Sequence, residues 1–497
     1  HDRRNRKVLL ARDHLGIKPL YYAFQNDRLI FGSEIKALLA SDWIQKDIDY
    51  TALANFMSWE YVPGRSTLLT GVNKLLPGEM LHLNLDRPQC RPQKFWDIPP
   101  VGDEEPIGSS EEWEERIYSQ VQKSTRMQMI SDVALGAFLS GGVDSSLIAA
   151  TMGNVQTFSI GFDDPTYNEL DWARKVAGHI GVSHRDEIIK PDVITLFDKL
   201  MHFMDDPIGD FSIFPTFLVS RLARKHVTVA LSGDGGDELF AGYETYLAQE
   251  KARIYQRLPL WLRKSVITPL VENLPPGDKK KGLLNKVKRF IEGSANPESL
   301  HHTRWRIFVN EALRNDLFTR ESSAKIETTS TDHIHRLFDQ SGERGSLDKG
   351  LYVDVKSYLC DNILTKVDRM SMAVSLETRV PYLDKDMVEL AFKVPEKYKL
   401  EGKETKAILK RVASRVVPRE CVYRPKEGFS IPIKHWLNKE FLPLMNEYLC
   451  RKNIDEGGIF RWETVNRLKT EHQRGTANHS HILWALIVFH DWQERWL

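Results

Sequence analysis

Short apolar and aromatic runs at 8–11, 20–24 and 29–31, separated by Gly16, Pro19 and Asn26-Asp27, predict β-strands at the start of the chain. A helix begins at 35–39 and a second covers 53–59, while residues 80–85 alternate apolar and polar as a half-buried strand does. Pro88, Pro92, Pro99 and Pro100, followed by Asp103-Glu104-Glu105, mark a linker at 97–111.

Beyond it the pattern becomes strand–helix alternation. A continuous apolar run at 133–139 ends in Ser140-Gly141-Gly142, and a helix starts near Val143. A strand at 157–162 precedes helices at 169–180, 193–204 and 215–225, and a third apolar strand at 227–231 ends in a second glycine-rich turn. This order implies a parallel sheet covered on both faces, with ligands bound beyond the carboxyl ends of its strands, where both glycine turns fall. From about residue 240 onward the pattern is mostly helical.

Composition narrows the function. At 497 residues the chain exceeds what one core usually organises. Lys plus Arg total 69 against 68 for Asp plus Glu, and that balance excludes a general nucleic-acid or membrane-surface binder, which needs a basic excess. The basic run Lys279-Lys280-Lys281 with Lys286, Lys288 and Arg289 is then a solvated helix face. Cys90, Cys360, Cys421 and Cys450 are scattered and read as free thiols of a reducing cytoplasm. The apolar run 482–489 is too short to span a bilayer. Histidine spacing offers no zinc site. The opening His1-Asp2-Arg3-Arg4, with strand-like segments following at once, predicts a chain that enters in mid-domain.

Two loops carry the chemistry. Ser140-Gly141-Gly142-Val143-Asp144-Ser145-Ser146 joins a buried strand to a helix, so glycine backbone, helix N-terminal N–H groups and serine hydroxyls converge as a pyrophosphate requires. No Gly-Lys-Ser/Thr follows, so it is not a Walker A loop. The second loop is Ser232-Gly233-Asp234-Gly235-Gly236-Asp237-Glu238-Leu239-Phe240-Ala241-Gly242-Tyr243. The first resembles the S-G-G-x-D-S loop of the PP-loop ATP pyrophosphatases. Together, and with Asp361 to Ala373, Leu376 to Asp384 and Arg424-Pro425-Lys426-Glu427-Gly428-Phe429, they resemble glutamine-dependent asparagine synthetases over nearly the whole chain. Ala11 to Tyr22 and Phe31 to Leu38 resemble the end of a class II glutamine amidotransferase domain.

The resemblance implies roles. The backbones of Leu139, Ile160, Ser232 and Gly233 would hold adenine and ribose, and Ser140, Gly141, Gly142, Asp144 and Ser145 the pyrophosphate of ATP. Asp144 and Asp237 would bind Mg²⁺. Asp234 would stand near the attacking ammonia, and Lys426 would be the catalytic lysine. Glu377 and Arg379 fall in a helix-and-loop segment facing the intermediate, with a buried Arg–Glu pair holding the helix as the other reading. The glutaminase nucleophile of that family is an N-terminal cysteine. Residue 1 is His, so none is assigned.

The expected architecture is an α/β/β/α glutaminase remnant at 1–96, a linker at 97–111, and an ATP-pyrophosphatase-type α/β domain with a helical C-terminal part at 112–497. The implied reaction amidates aspartate through β-aspartyl-AMP, with ammonia from glutamine, releasing AMP and pyrophosphate. A homodimer is left open. Two rivals stand beside it: a related ligase acting on a sugar acid, a peptide or a β-lactam precursor, and a nucleotide-binding regulator that has lost catalysis.

Overall fold

The N-terminal strands are, in chain order, β1 (Lys7–Ala11), β2 (Tyr21–Gln25), β3 (Arg28–Gly32), β4 (Asn73–Lys74), β5 (Glu79–Asn84) and β6 (Arg87–Lys94). Helices α1 (Ile35–Leu39) and α2 (Tyr50–Trp59) lie between β3 and β4. The strands pair as two antiparallel sheets, β1-β5-β6 and β3-β2-β4. Asn26 and Asp27 turn the β2–β3 hairpin with φ of 50° and 59°, the left-handed pair that a two-residue turn between twisted strands needs.

The sequence pattern stopped short of β6, because Pro88 and Pro92 read as the approach to the linker. Both lie in an edge strand, where the missing N–H costs no ladder bond. The chain leaving β6 is then fastened down. Asp97 accepts from Lys94 (2.5 Å) and Lys356 (2.8 Å), and the Arg344 guanidinium donates to the carbonyls of Ile98 (3.3 Å) and Pro99.

This computed structural model describes residues 1–101, 108–162, 169–189, 192–267, 270, 297–425 and 433–497. The basic run at 279–289 and the acidic stretch Asp103-Glu104-Glu105 of the linker lie outside them. The second half starts with α3 (Ser110–Gln128), which opens on a capping box between Ser109 and Glu112. It continues through β7 (Leu135–Phe138), α4 (Val143–Met152), β8 (Gln156–Gly161), α5 (Leu170–Ile180), β9 (Ser183–Ile188), α6 (Val193–Phe203), α7 (Ile213–Arg224), β10 (Val229–Leu231) and α8 (Gly236–Phe240), and much later β11 (Glu377–Arg379). The last five strands form one parallel sheet in the order β11-β10-β7-β8-β9.

Two of these strands depart from the sequence expectation. β9 reads Ser-His-Arg-Asp-Glu-Ile, with no apolar alternation, because it is an edge strand paired on one side only. β11 occupies the segment expected to be helix and loop. Its three residues pair in register with Val229, Ala230 and Leu231 at the opposite edge.

The run 482–489 is a core helix. It lies within Ser480–Trp496, and every residue from Ile482 to Phe489 is buried. Trp484 packs against Phe197, Phe214 and Phe441 at ring separations of 5.2–5.7 Å. Each such side chain contributes about 1.5–3 kcal/mol on leaving water. The same core takes in Tyr21, Phe56 and Met57, so the N-terminal region shares it with the parallel-sheet half. Charges cross the same boundary: Lys18 pairs with Asp368 (2.6 Å), and Arg369, itself paired with Asp205 (3.3 Å), reaches Glu34 (3.3 Å) while lying over the Tyr21 ring. Among the described residues no helix is long and apolar enough to cross a membrane.

Candidate active site

Adjacent parallel strands β7 and β10 deliver the two glycine-rich loops to the same end of the sheet. Gly141 has φ +72°, and a Cβ there would lie 2.5 Å from the Trp172 backbone, so only glycine lets the first loop pack against the start of α5. Gly142 caps α4 without a side chain, and Asp144 and Ser145 fall in the helix's first turn. The Ser140 and Ser145 hydroxyls stand 3.1 Å apart, and Ser145 Oγ accepts from the Ser140 amide (3.2 Å). The loop is thus folded on its own hydroxyls around an open helix N-terminus.

Glycines also let the second loop close on the first. A Cβ on Gly233 would sit 2.7 Å from the Ser145 nitrogen. One on Gly236 would overlap the Asp144 carboxylate, and one on Gly242 would overlap Asp237 and Lys406. In the space so kept, the Lys406 ammonium bridges the two acids, touching Asp144 Oδ2 and lying 2.7 Å from Asp237 Oδ1. Burial works against this charged lysine, yet Asp144 and Asp237 raise its pKa well above the ordinary range. One cation therefore already reaches carboxylates from both loops, and this hard-oxygen pair is the donor set a Mg²⁺ ion takes along with phosphate oxygens.

These loops open onto a cavity of about 660 Å³. Leu139, Ser140, Gly142, Asp144, Ser145, Ile160, Ser232, Gly233, Asp234 and Asp237 all line it, so the structure brings together nearly every residue singled out for ATP and metal. Gly141 belongs to the same loop but turns towards Trp172. Asp234 is held by the Ser232 hydroxyl (2.5 Å), and its burial pushes the carboxyl above its usual value. Lys426 lies outside the described residues. Its neighbours Arg424 and Pro425 line the cavity wall. Arg424 donates to Glu169 (2.6 Å) and to the carbonyls of Ser140 and Gly141 (3.4 Å each), and so ties the first loop to that wall.

Glu377 and Arg379 are not brought to the cavity. They point to one face of β11, where Arg379 donates to Glu377 Oε1 (2.7 Å) and to the carbonyls of Gln128 (2.6 Å) and Ile130 (2.7 Å). The pair is partly exposed, and it ties a sheet edge to the end of α3. A strand's two-residue period aims both side chains sideways from a site that lies beyond the strand ends.

Other cavity residues escaped the sequence reading. Lys406 precedes the helix Ala407–Ala413 with φ 53°, a cation at the end of a helix that repels cations. Only the facing carboxylates explain it, and they are far away in sequence. Lys366 donates to Asp210 (2.7 Å) and Ser212 (2.6 Å), and its charge outweighs burial to hold the Asp210 carboxyl at about 2. Glu238, which accepts from the Tyr243 hydroxyl, is pushed up to about 7 by burial and by the neighbouring Asp237.

Comparison with known proteins adds to this geometry. The asparagine synthase family profile matches residues 116–494, and the glutamine amidotransferase domain profile matches residues 1–96. The chain is 33% identical over 493 residues to asparagine synthetase [glutamine-hydrolyzing] 1 of Bacillus subtilis (strain 168), covering 97% of this chain and 74% of that protein. The chain belongs to the glutamine-hydrolysing asparagine synthetase family. A putative asparagine synthetase [glutamine-hydrolyzing] of Mycobacterium tuberculosis (strain ATCC 25618 / H37Rv) is 32% identical over 98% of this chain and 74% of its own length. A more distant relative, amidase chyE of Penicillium rubens, is 24% identical over 93% of this chain and 73% of its own. As a family member the protein is an ATP-using ligase of asparagine biosynthesis.

Proposed function

We propose that the cavity adenylates the side-chain carboxylate of aspartate and passes the activated acyl group to ammonia, giving asparagine, AMP and pyrophosphate. The observation that carries this reading is the convergence of Asp144 and Asp237 from two strand-end loops beside an open helix N-terminus. The first loop offers amides and hydroxyls to the leaving pyrophosphate, while Arg424 engages the carbonyls of Ser140 and Gly141. Asp144 and Asp237 would hold Mg²⁺, which neutralises phosphate charge when bound. Asp234, buried with a raised pKa, is suited to take a proton as ammonia attacks. Lys426, immediately after the cavity-lining Pro425, would stabilise charge on the reacting phosphate. Ammonia would derive from glutamine, and we place the protein in the cytoplasm. Residues 1–96 form the glutaminase part, 97–111 the linker and 112–497 the synthetase part.

A second reading keeps the adenylation and changes the acceptor, and the resemblance to amidase chyE favours it as the alternative. Isotope exchange between pyrophosphate and ATP, measured with aspartate and with other carboxylic acids, separates the two. Exchange dependent on aspartate supports the first, and exchange with a different acid alone supports the second. ADP and phosphate as primary products would refute both.

A further inference from the structure

The loop 205–212 runs from the boundary with the N-terminal region to the cavity wall, and it is held along its length. Asp205 accepts from the Lys36 amide (2.9 Å), its carbonyl accepts from Trp492 Nε1 (2.8 Å), and Asp206 accepts from the Tyr21 hydroxyl (3.1 Å). At the cavity end Asp210 accepts from the Ser212 amide and hydroxyl (2.9 and 2.7 Å) and from Lys366. Asp210, Ser212 and Lys366 all line the cavity.

Between these ends stands Glu60, the residue that closes α2. It is buried, and its φ of 65° is left-handed, a conformation costly for a residue with a long side chain. Its carbonyl accepts from the Gly209 amide (2.7 Å), and its Cβ lies where a Cβ on Gly209 would approach to 3.0 Å. Its carboxyl meets Nδ1 of His481 (2.8 Å), at the start of the C-terminal helix. The His481 ring stacks on Phe308 at 4.0 Å and lies 4.9 Å from Phe211, the residue between Asp210 and Ser212. The charged groups acting on Glu60 are His481, Asp210 and Lys366, from three different elements.

We infer that Glu60 is a positioning residue supplied by the N-terminal region to the cavity: with His481 it fixes Gly209 and Phe211, and thereby the presentation of Asp210 and Ser212 to Lys366. From this left-handed backbone the Glu60 side chain reaches His481 across the boundary. Since the 205–212 loop forms a wall separate from the 140–146 and 232–238 loops, disturbing it affects the acceptor more than ATP. This selectivity rests on the proposed adenylation chemistry.

Glu60→Gly separates the roles, because glycine adopts φ +65° freely and removes only the side chain. In the full chain we expect Glu60→Gly to fold, to raise the acceptor KM at least about tenfold, and to leave the ATP KM nearly unchanged. Glu60→Gln, which keeps the length and a hydrogen bond to His481, should restore most of the loss. Equal shifts in both KM values, or no shift in a folded Glu60→Gly, would overturn the inference. Should the wild-type chain use an acid other than aspartate, the comparison is made with that acid. If it turns over none, amide hydrogen exchange decides: at least about tenfold faster exchange across 209–212 in Glu60→Gly supports positioning, and unchanged exchange overturns it.

Discussion

The Gly233 Cα faces the Ser145 amide so closely that a Cβ would stand 2.7 Å from the nitrogen and 3.0 Å from the Asp144 carbonyl carbon. The two loops are therefore spaced by the absence of a side chain. Gly233→Ala must push the second loop away from the first turn of α4, and the atoms in the way are backbone, which cannot rotate aside. We expect pyrophosphate–ATP exchange to fall by about a hundredfold, since misplacement of about 1 Å has that effect on a preorganised site. Thermal unfolding should change little, and an exchange rate within a few-fold of wild type would show that the loops need not touch.

Lys406 makes a second prediction. Removing it leaves Asp144 and Asp237 facing one another across the space that the ammonium filled. Breaking a buried pair by deleting one partner costs about 3–5 kcal/mol. Lys406→Met should therefore unfold at a lower temperature in chelator, and Mg²⁺ should restore more stability to the variant than to the wild type. A thermal melt with and without Mg²⁺ reads this directly. Equal Mg²⁺ effects on both proteins would remove the two carboxylates as a cation site.

How much of this was legible in the sequence follows from where each contact lies. The loops at 140–146 and 232–243 could be read because their glycines, serines and acids are contiguous and each follows an apolar strand. β10 and β7 were legible as buried runs. Lys406 was not, because Asp144 lies 262 residues away in the chain, Asp237 is also remote, and nothing local marks a lysine as a counter-ion. Glu377 and Arg379 sat in a recognisable block, yet their direction depends on strand pairing with β10, which periodicity over three residues cannot reveal. β9 was missed since an edge strand needs no apolar alternation.

Acid should destabilise the fold through His490. This residue lies in the core helix Ser480–Trp496, is buried against Phe460 and Phe489, and its Nε2 has no hydrogen-bond partner among the described residues. Burial lowers its pKa from 6.5 to about 4. The unfolded chain then takes up a proton at a pH where the folded one does not. The contribution is fully present above about pH 6.5 and is lost as pH falls towards 4, by roughly 3 kcal/mol in all. His490→Phe should flatten the stability curve between these values. Denaturant unfolding at pH 7 and pH 5 checks it, and an unchanged slope in the variant would exonerate His490.

Arg424 supports the last prediction. Its guanidinium pairs with Glu169 at 2.6 Å, reaches the carbonyls of Ser140 and Gly141, and lies 5.6 Å from the centre of the Trp172 ring. Those contacts use a planar fork with several donors in fixed directions, together with a face that stacks on an aromatic ring. A lysine keeps the charge but has neither the fork nor the face. Arg424→Lys should therefore retain the ion pair with Glu169 and lose the hold on the loop carbonyls. With carbonyls free to turn inward, the pyrophosphate meets acceptors where it needs donors, so the variant should bind ATP about tenfold more weakly, close to the loss of one or two charge-assisted hydrogen bonds. Arg424 stands two positions before Lys426 in the chain, so the adenylation rate should fall as well, with little change in melting temperature because Arg424 lies at the cavity wall rather than in the core. Calorimetric titration with ATP together with exchange kinetics measures both effects. ATP affinity equal to wild type in Arg424→Lys would mean that the loop holds its shape through the Ser140–Ser145 contacts alone.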